Sequence, residues 1–325
     1  MKFSIIIPVK ELNDYLKESV PKILEMDYSD YEIIILPNEI PEKIPEHLSN
    51  SKVKIVASGR VSPAVKRDMG AERSKGEFLA FIDDDAYPDK DWLKLAEQEL
   101  AQTKAEAVCG PAITPTNNSL SQKASGLFFE TLVGGGGMSY RYKPAKKSFY
   151  VDDYPTVNLI VSKKAFFGAG GFDNEFWPGE DTKFCLDFVK KGYRIWYSNK
   201  LIVWHHRRKL FVPHLKQVGS YGKHRGYFAR KFPETSFRLT YFIPSAFLAG
   251  NIGLAVLSVF NILFLKIWLL LLAIYFTISA VDIFARTKNI AIGSLAIITV
   301  YLTHLTYGAM FAKGMLSKEF RSELR

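Results

Sequence analysis

Phe78-Leu79-Ala80-Phe81-Ile82-Asp83-Asp84-Asp85-Ala86-Tyr87-Pro88 runs from five apolar side chains directly into three carboxylates. A short apolar run bounded by a turn-forming group reads as a strand buried on both faces, the kind found in parallel sheets covered by helices. Working outward, Phe3 to Ile7, Tyr31 to Leu36, Val53 to Ala57 and Ala107 to Cys109 repeat the pattern with helical segments between them. Ser62-Pro63 reads as an N-cap followed by proline at the first helical position, and Asp91-Trp92 opens a second helix, amphipathic through Leu100. This alternation predicts an α/β fold with a mostly parallel, twisted sheet and helices on both faces. Further on, Leu120 to Thr131 and Thr182 to Lys191 read as helices and Thr156 to Val161 as a strand. Gly134 to Gly137 reads as a flexible connection or a loop over a site, and Met138-Ser139 excludes a phosphate-binding P-loop there.

The 325 residues divide into two environments. From Tyr241 to Met315 charged side chains almost vanish, and three stretches of bilayer length follow one another: Tyr241 to Phe264, Ile267 to Phe284 and Ile290 to Phe311. Lys266 and Ala285-Arg286-Thr287-Lys288 are expected to separate them, and the interrupted first stretch could instead be re-entrant. The net charge of +10 is concentrated in a basic stretch from His205 to Lys231, ahead of the apolar region, which favours an anionic membrane surface over nucleic acid. Leu210, Phe211, Leu215, Val218, Tyr227 and Phe228 are expected to dip into that interface. The implied organisation is a catalytic domain over 1–205, a basic interfacial segment over 206–238, a transmembrane region over 239–313 and a polar tail over 314–325. Cys109 and Cys185 lack metal-ligand spacing, so a zinc site or disulfide framework has no support. The apolar run at the N-terminus stops at Pro8, too short for a signal-peptide core, so the first domain is expected to face the cytosol of a multi-pass membrane protein.

Ligands of open α/β sheets bind beyond the carboxyl ends of the strands. Pro8, Asn38 and Glu39, and Asp83 to Asp85 should therefore converge on one cleft. Three carboxylates at the end of a buried strand repel one another unless a cation joins them, and a divalent metal such as Mn²⁺ or Mg²⁺ fits that need. An acidic turn is the plainer alternative. A second cluster, Gly170-Gly171-Phe172-Asp173 followed by Trp177-Pro178-Gly179-Glu180-Asp181, leads into the helix near Thr182. Asp181 there is either the N-cap of that helix or a general base presented to the cleft.

Taken in order and spacing, Ser4-Ile5-Ile6-Ile7-Pro8, Lys66-Arg67-Asp68-Met69-Gly70-Ala71, Gly76-Glu77, Asp83 to Asp85, Asn158-Leu159-Ile160, Gly170 to Asp173 and Glu180-Asp181 resemble the inverting family 2 glycosyltransferases over Ser4 to His206. The resemblance implies the Rossmann-like A-type nucleotide-sugar fold, here followed by an all-α transmembrane region. It implies that Asp83 and Asp85 bind the metal, joined by His206 unless that histidine belongs to the basic membrane cluster. Asp84, Pro8, Asn38, Glu39 and Arg67 would contact the donor; Asp181 would be the base with Glu180 beside it; Asn158, Trp177 and Gly179 would lie on the acceptor side. Where many relatives carry an Asp at the end of the second strand this chain has Pro37-Asn38-Glu39, which leaves the nucleotide base open. The Gln-x-x-Arg-Trp of processive synthases is absent, since Val218-Gly219-Ser220-Tyr221 follows Gln217. The implied activity is single-sugar transfer to a hydroxyl of a membrane-associated, lipid-linked acceptor. The alternatives are transfer to a polyprenyl phosphate, or a membrane scaffold that has lost catalysis.

Overall fold

The computed structural model describes residues 2–172 and 174–319. In chain order its elements are β1 (Phe3–Pro8), α1 (Leu16–Leu24), β2 (Tyr31–Leu36), β3 (Val53–Ile55), α2 (Pro63–Arg73), β4 (Phe78–Phe81), β5 (Ala86–Pro88), α3 (Trp92–Thr103), β6 (Ala107–Cys109) and β7 (Ala112–Ile113). Then follow α4 (Leu120–Glu130), α5 (Leu132–Gly135), β8 (Phe149–Val151), β9 (Leu159–Ser162), α6 (Lys163–Ala169), α7 (Glu180–Lys190), β10 (Ile195–Tyr197) and β11 (Val203–His205). The last five are α8 (Val212–Lys231), α9 (Pro233–Ser236), α10 (Leu239–Ser258), α11 (Ile262–Phe284) and α12 (Ile290–Leu316). Among the described residues they form two compact units: one of the residues up to Ile113 with Lys143–His206, the other of Thr114–Tyr142 with residues 207–319.

The first unit is built on an eight-stranded sheet of order β3-β2-β1-β4-β9-β6-β10-β8. β1 and β2 are buried at every position, which is why their sequences are near-continuous apolar runs rather than alternating ones; the exceptions, Ser4 and Glu32, meet each other, the Ser4 hydroxyl donating to Glu32 Oε1 at 2.7 Å. β1, β2, β3 and β4 pair in parallel, whereas β9 runs antiparallel to both β4 and β6. The segment 156–161, expected as one strand, opens with a 3₁₀ turn over Thr156–Asn158 before β9 begins. Ser62 caps α2 as expected, its Oγ accepting from the Val65 N–H at 3.4 Å. A second, three-stranded sheet of order β5-β11-β7 stands beside the end of β4.

The second unit holds three helices long and apolar enough to cross a membrane: α10, α11 and α12. The break between the first two falls at Val259–Asn261, not at Lys266: the Asn261 side chain accepts from the Leu263 N–H at 2.8 Å and starts α11, so Lys266 lies inside that helix, near enough to its end to extend toward water. α8 is not a free interfacial helix. Val218, Tyr227 and Phe228, expected to face lipid, are buried, because α8 packs along α12 so closely that a Cβ on Gly222 would stand 2.8 Å from the Tyr307 carbonyl oxygen. Nor is the four-glycine run a slack connection. It forms α5 and a 3₁₀ turn, and the Val133 peptide is held at both ends: its N–H donates to Asp282 Oδ2 at 2.9 Å, and His304 Nε2 lies 3.1 Å from its carbonyl oxygen. Those two polar side chains in membrane-length helices thus have a local structural task.

Candidate active site

β1 lies between β2 and β4, so the strand order reverses beside it, and the carboxyl ends of β1 and β4 open at the switch point where α/β sheets bind ligands. Asp83-Asp84-Asp85 turns from the end of β4 into β5, and β5 pairs antiparallel with β11 in the register Ala86 opposite His205. That register sets the His205 ring beside Asp85, Nε2 lying 3.2 Å from Oδ1. One ligand atom each from Asp83, Asp85 and His205 all fall within 4.8 Å of one another. Two carboxylates and an imidazole suit a divalent cation, so these three residues could hold one.

The family resemblance implied His206 in that place, unless it belonged to the basic membrane cluster. Successive side chains along a strand direction face opposite sides, so only one of the two histidines can meet the carboxylates. His206 Nε2 lies 2.8 Å from Glu18 Oε2, with its ring beside Tyr15 and Tyr87, while its backbone N–H donates to the Asp85 carbonyl. It anchors α1 to the acidic loop rather than joining Asp83 and Asp85.

Arg67, expected to line the donor pocket, is 5% exposed and acts as a brace. Nη2 donates to Asp83 Oδ1 and Nη1 to Glu180 Oε1, both at 2.9 Å. One guanidinium therefore ties the acidic loop after β4 to the head of α7. Glu180 is buried, and its other oxygen accepts from the Gly179 N–H at 3.0 Å. The N-cap of α7 is Gly179, at φ 132°, a left-handed conformation that side chains resist, so Asp181 stands inside the first turn and is not the cap. Its Oδ1 accepts from the Thr182 N–H at 2.7 Å.

Of the residues expected on the donor side, Pro8 closes β1, Asn38 follows β2, and Glu39 is exposed. Lys66, one turn into α2, links two of these strand ends: Nζ donates to the Val9 carbonyl and to Asn38 Oδ1, each at 2.6 Å. Burial pulls the Lys66 ammonium down to about 8, against the opposing influence of Asp84. Asp84 accepts from the Asn13 amide, and burial, followed by the neighbouring Asp85, pushes its carboxyl up to about 6.

Of the residues expected on the acceptor side, Trp177 and Gly179 lie in the loop that enters α7. Asn158 does not belong with them. It is fully buried: Oδ1 accepts from the Trp92 indole at 3.0 Å, and Nδ2 donates to the Gly110 and Leu201 carbonyls at 2.7 Å. It is a strut between loops and offers a ligand nothing. Asp173 lies outside the described residues; the Phe172 N–H beside it donates to Asp68 Oδ1 at 3.0 Å, and burial pushes the Asp68 carboxyl up to about 6. Lys66, Asp68 and His205 stand at the candidate site although the sequence, which displays all three, gave none of them a role there. The Ser62-Pro63 cap was the available signal for the first two, because it fixes which face of α2 meets the sheet.

Glycosyl transferase family 2 matches residues 4–166, half of the chain, and the chain belongs to that family. It is a glycosyltransferase. Among curated proteins it is 24% identical over 326 residues to dolichyl N-acetyl-alpha-D-glucosaminyl phosphate 3-beta-D-2,3-diacetamido-2,3-dideoxy-beta-D-glucuronosyltransferase of Methanococcus voltae, covering 96% of this chain and 97% of the relative. It is 23% identical over 204 residues to GalNAc(5)-diNAcBac-PP-undecaprenol beta-1,3-glucosyltransferase of Campylobacter jejuni, covering 60% of this chain and 62% of that one. Among solved structures, the mannosyltransferase PcManGT from Pyrobaculum calidifontis, in complex with GDP-Man and Mn²⁺, shares the fold at a TM-score of 0.65 and 16% identity, over 98% of this chain and 88% of its own.

Proposed function

We propose that this family 2 glycosyltransferase moves a single sugar, with inversion, from a nucleotide-sugar donor to a hydroxyl of a lipid-linked acceptor at the cytosolic face of a membrane. The observation that carries the reading is the meeting of Asp83, Asp85 and His205 at the strand ends, with Asp181 joined to that loop through Glu180 and Arg67. Three membrane-length helices in the same chain, and relatives whose names include dolichyl phosphate and undecaprenol carriers, support an acceptor that stays in the bilayer.

Asp83, Asp85 and His205 would hold a divalent cation, Mn²⁺ or Mg²⁺, whose charge supports departure of the nucleoside diphosphate. The chain's own groups do the rest. The strand ends at Pro8 and Asn38, fixed by Lys66, receive the nucleoside. Asp181 takes the proton of the acceptor hydroxyl as its oxygen attacks the anomeric carbon. Glu180 cannot share that role, because Arg67 and the Gly179 N–H hold both of its oxygens. Single displacement gives inversion.

Asp181→Asn keeps the acceptor of the Thr182 N–H while removing the base. It is expected to lower kcat by about 10²–10⁴-fold and to leave donor binding within two-fold. Turnover equal to wild type would remove Asp181 from the mechanism.

A further inference from the structure

In the second unit three arginines from separate parts of the chain converge on tyrosine rings. Arg141, Arg207 and Arg225 are each more than nine-tenths buried. The Arg207 guanidinium lies 5.1 Å from the Tyr142 ring centroid, and Arg225 lies 5.2 Å from that of Tyr241. All three guanidiniums act electrostatically on the Tyr142 hydroxyl, as does Tyr241, and Tyr307 is within the same reach of Arg225, Tyr241 and Tyr142.

The groups are held in place. Arg207 Nε donates to Thr114 Oγ1 at 3.2 Å, its backbone N–H donates to Asn118 Oδ1 at 3.2 Å, and its carbonyl accepts from Gln122 Nε2 at 2.9 Å. Arg225 Nη1 donates to the buried Ser236 Oγ at 3.3 Å, and the Tyr142 ring stacks on Phe129 at 4.6 Å. Tyr241 stands in the first turn of α10. α12 has 27 residues, about 40 Å of helix, which exceeds a hydrocarbon core of about 30 Å, and its last turns pack against α8, whose final turn carries Arg230 and Lys231. The cluster therefore sits where apolar helix gives way to polar chain.

Arg208 and Lys209 are exposed, and exposed cations attract an anionic surface diffusely. Buried guanidiniums in fixed planes differ: the fork of N–H donors matches the oxygens of one phosphate and gives geometric specificity. We propose that Arg141, Arg207 and Arg225, with Tyr142 and Tyr241, bind the phosphate or diphosphate that joins a lipid chain to the acceptor sugar. This assignment rests on the lipid-linked acceptor proposed above.

The test uses the full chain in phosphatidylcholine nanodiscs, titrated with undecaprenyl diphosphate, undecaprenol, phosphatidylglycerol and inorganic pyrophosphate, with nucleotide-sugar binding in Mn²⁺ read separately. Undecaprenyl diphosphate should bind saturably, with undecaprenol and phosphatidylglycerol about ten-fold weaker or more. Arg207→Gln and Arg225→Gln should each weaken it by about ten-fold or more, with donor binding within two-fold of wild type. Equal retention of undecaprenol or phosphatidylglycerol, or wild-type affinity in both variants, overturns the assignment. Should the glutamine variants fail to fold, the wild-type protein decides the matter: undecaprenyl diphosphate must protect Arg141, Arg207 and Arg225 from phenylglyoxal, and lack of protection overturns it. Loss of donor binding counts against the transferase reading, loss of lipid-diphosphate selectivity against this site.

Discussion

Replacing Arg67 with methionine, of similar length and without charge, tests whether one side chain joins the acidic loop to the head of α7. Arg67 makes two charge-assisted bonds of 2.9 Å, and their partners differ in access to water: the Asp83 side chain is 31% exposed, that of Glu180 only 8%. Breaking a buried ion pair by deleting one member costs about 3–5 kcal/mol, because the survivor is left charged and dry. Asp83 can be rehydrated and contributes little to that cost, so most of it falls on Glu180, and a total of about 4 kcal/mol is expected. At about 2–4 °C per kcal/mol for a domain of this size, that is a fall in Tm of roughly 8–16 °C. Thermal unfolding of the full chain in nanodiscs, with and without Glu180→Gln in the same background, reads it. Neutralising Glu180 should restore about half of the loss, giving a coupling of about 1.5 kcal/mol or more in the double-mutant cycle. An Arg67→Met protein that melts within about 2 °C of wild type, or a coupling under about 0.5 kcal/mol, refutes the brace.

His205→Ala should raise the Mn²⁺ concentration needed for half-maximal activity by about ten-fold or more, whereas His206→Ala should move it far less, because only His205 lies with Asp83 and Asp85; metal titrations of the two variants compare them directly. Asp68 is a carboxyl whose folded value, about 6, lies above its ordinary 3.8, so its contribution to stability is fully present below about 4 and lost as pH rises through about 6. Asp68→Asn, which can still accept from the Phe172 N–H, should therefore gain stability over wild type on going from pH 5 to pH 7.5, by about 1 kcal/mol in parallel unfolding curves, since only about one pH unit of the titration falls in that window. Gly222→Ala would push a methyl against the Tyr307 carbonyl and the backbone of α12, and should lower Tm while leaving Mn²⁺-dependent donor binding by the surviving folded protein unchanged.

The parts of the fold that were legible in the sequence are those whose burial is nearly complete along a whole element. β1, β2, β4 and β6 could be read because both faces of each strand are covered and every position but Glu32 is apolar or small. The three apolar helices could be read because a bilayer demands length and hydrophobicity, which a sequence displays directly. β5, β7, β10 and β11, of two or three residues each, have no periodicity to detect, since their pairing is supplied by distant chain. α8 misled for a related reason. Basic residues with interleaved aromatics describe a membrane-surface helix as well as a buried one, and the close approach of α8 to α12 at Gly219, Gly222 and Gly226 distinguishes them.

The same physics explains why the carboxylates of the site were legible and their partners were not. Asp83 to Asp85 follow a strand that announces itself, so local sequence sets their position at the sheet edge. Which histidine joins them depends on the register of β11 on β5, and a shift of one residue would exchange His205 for His206 without altering composition or hydropathy. Trp204 opposite Tyr87, its indole donating to Asp89 at 2.6 Å, and His206 against Glu18 hold that register from either side of His205. His206 thus supports the register without joining the candidate cation site: its backbone N–H, which an alanine would keep, closes onto the Asp85 carbonyl and fixes the face on which its neighbour must stand.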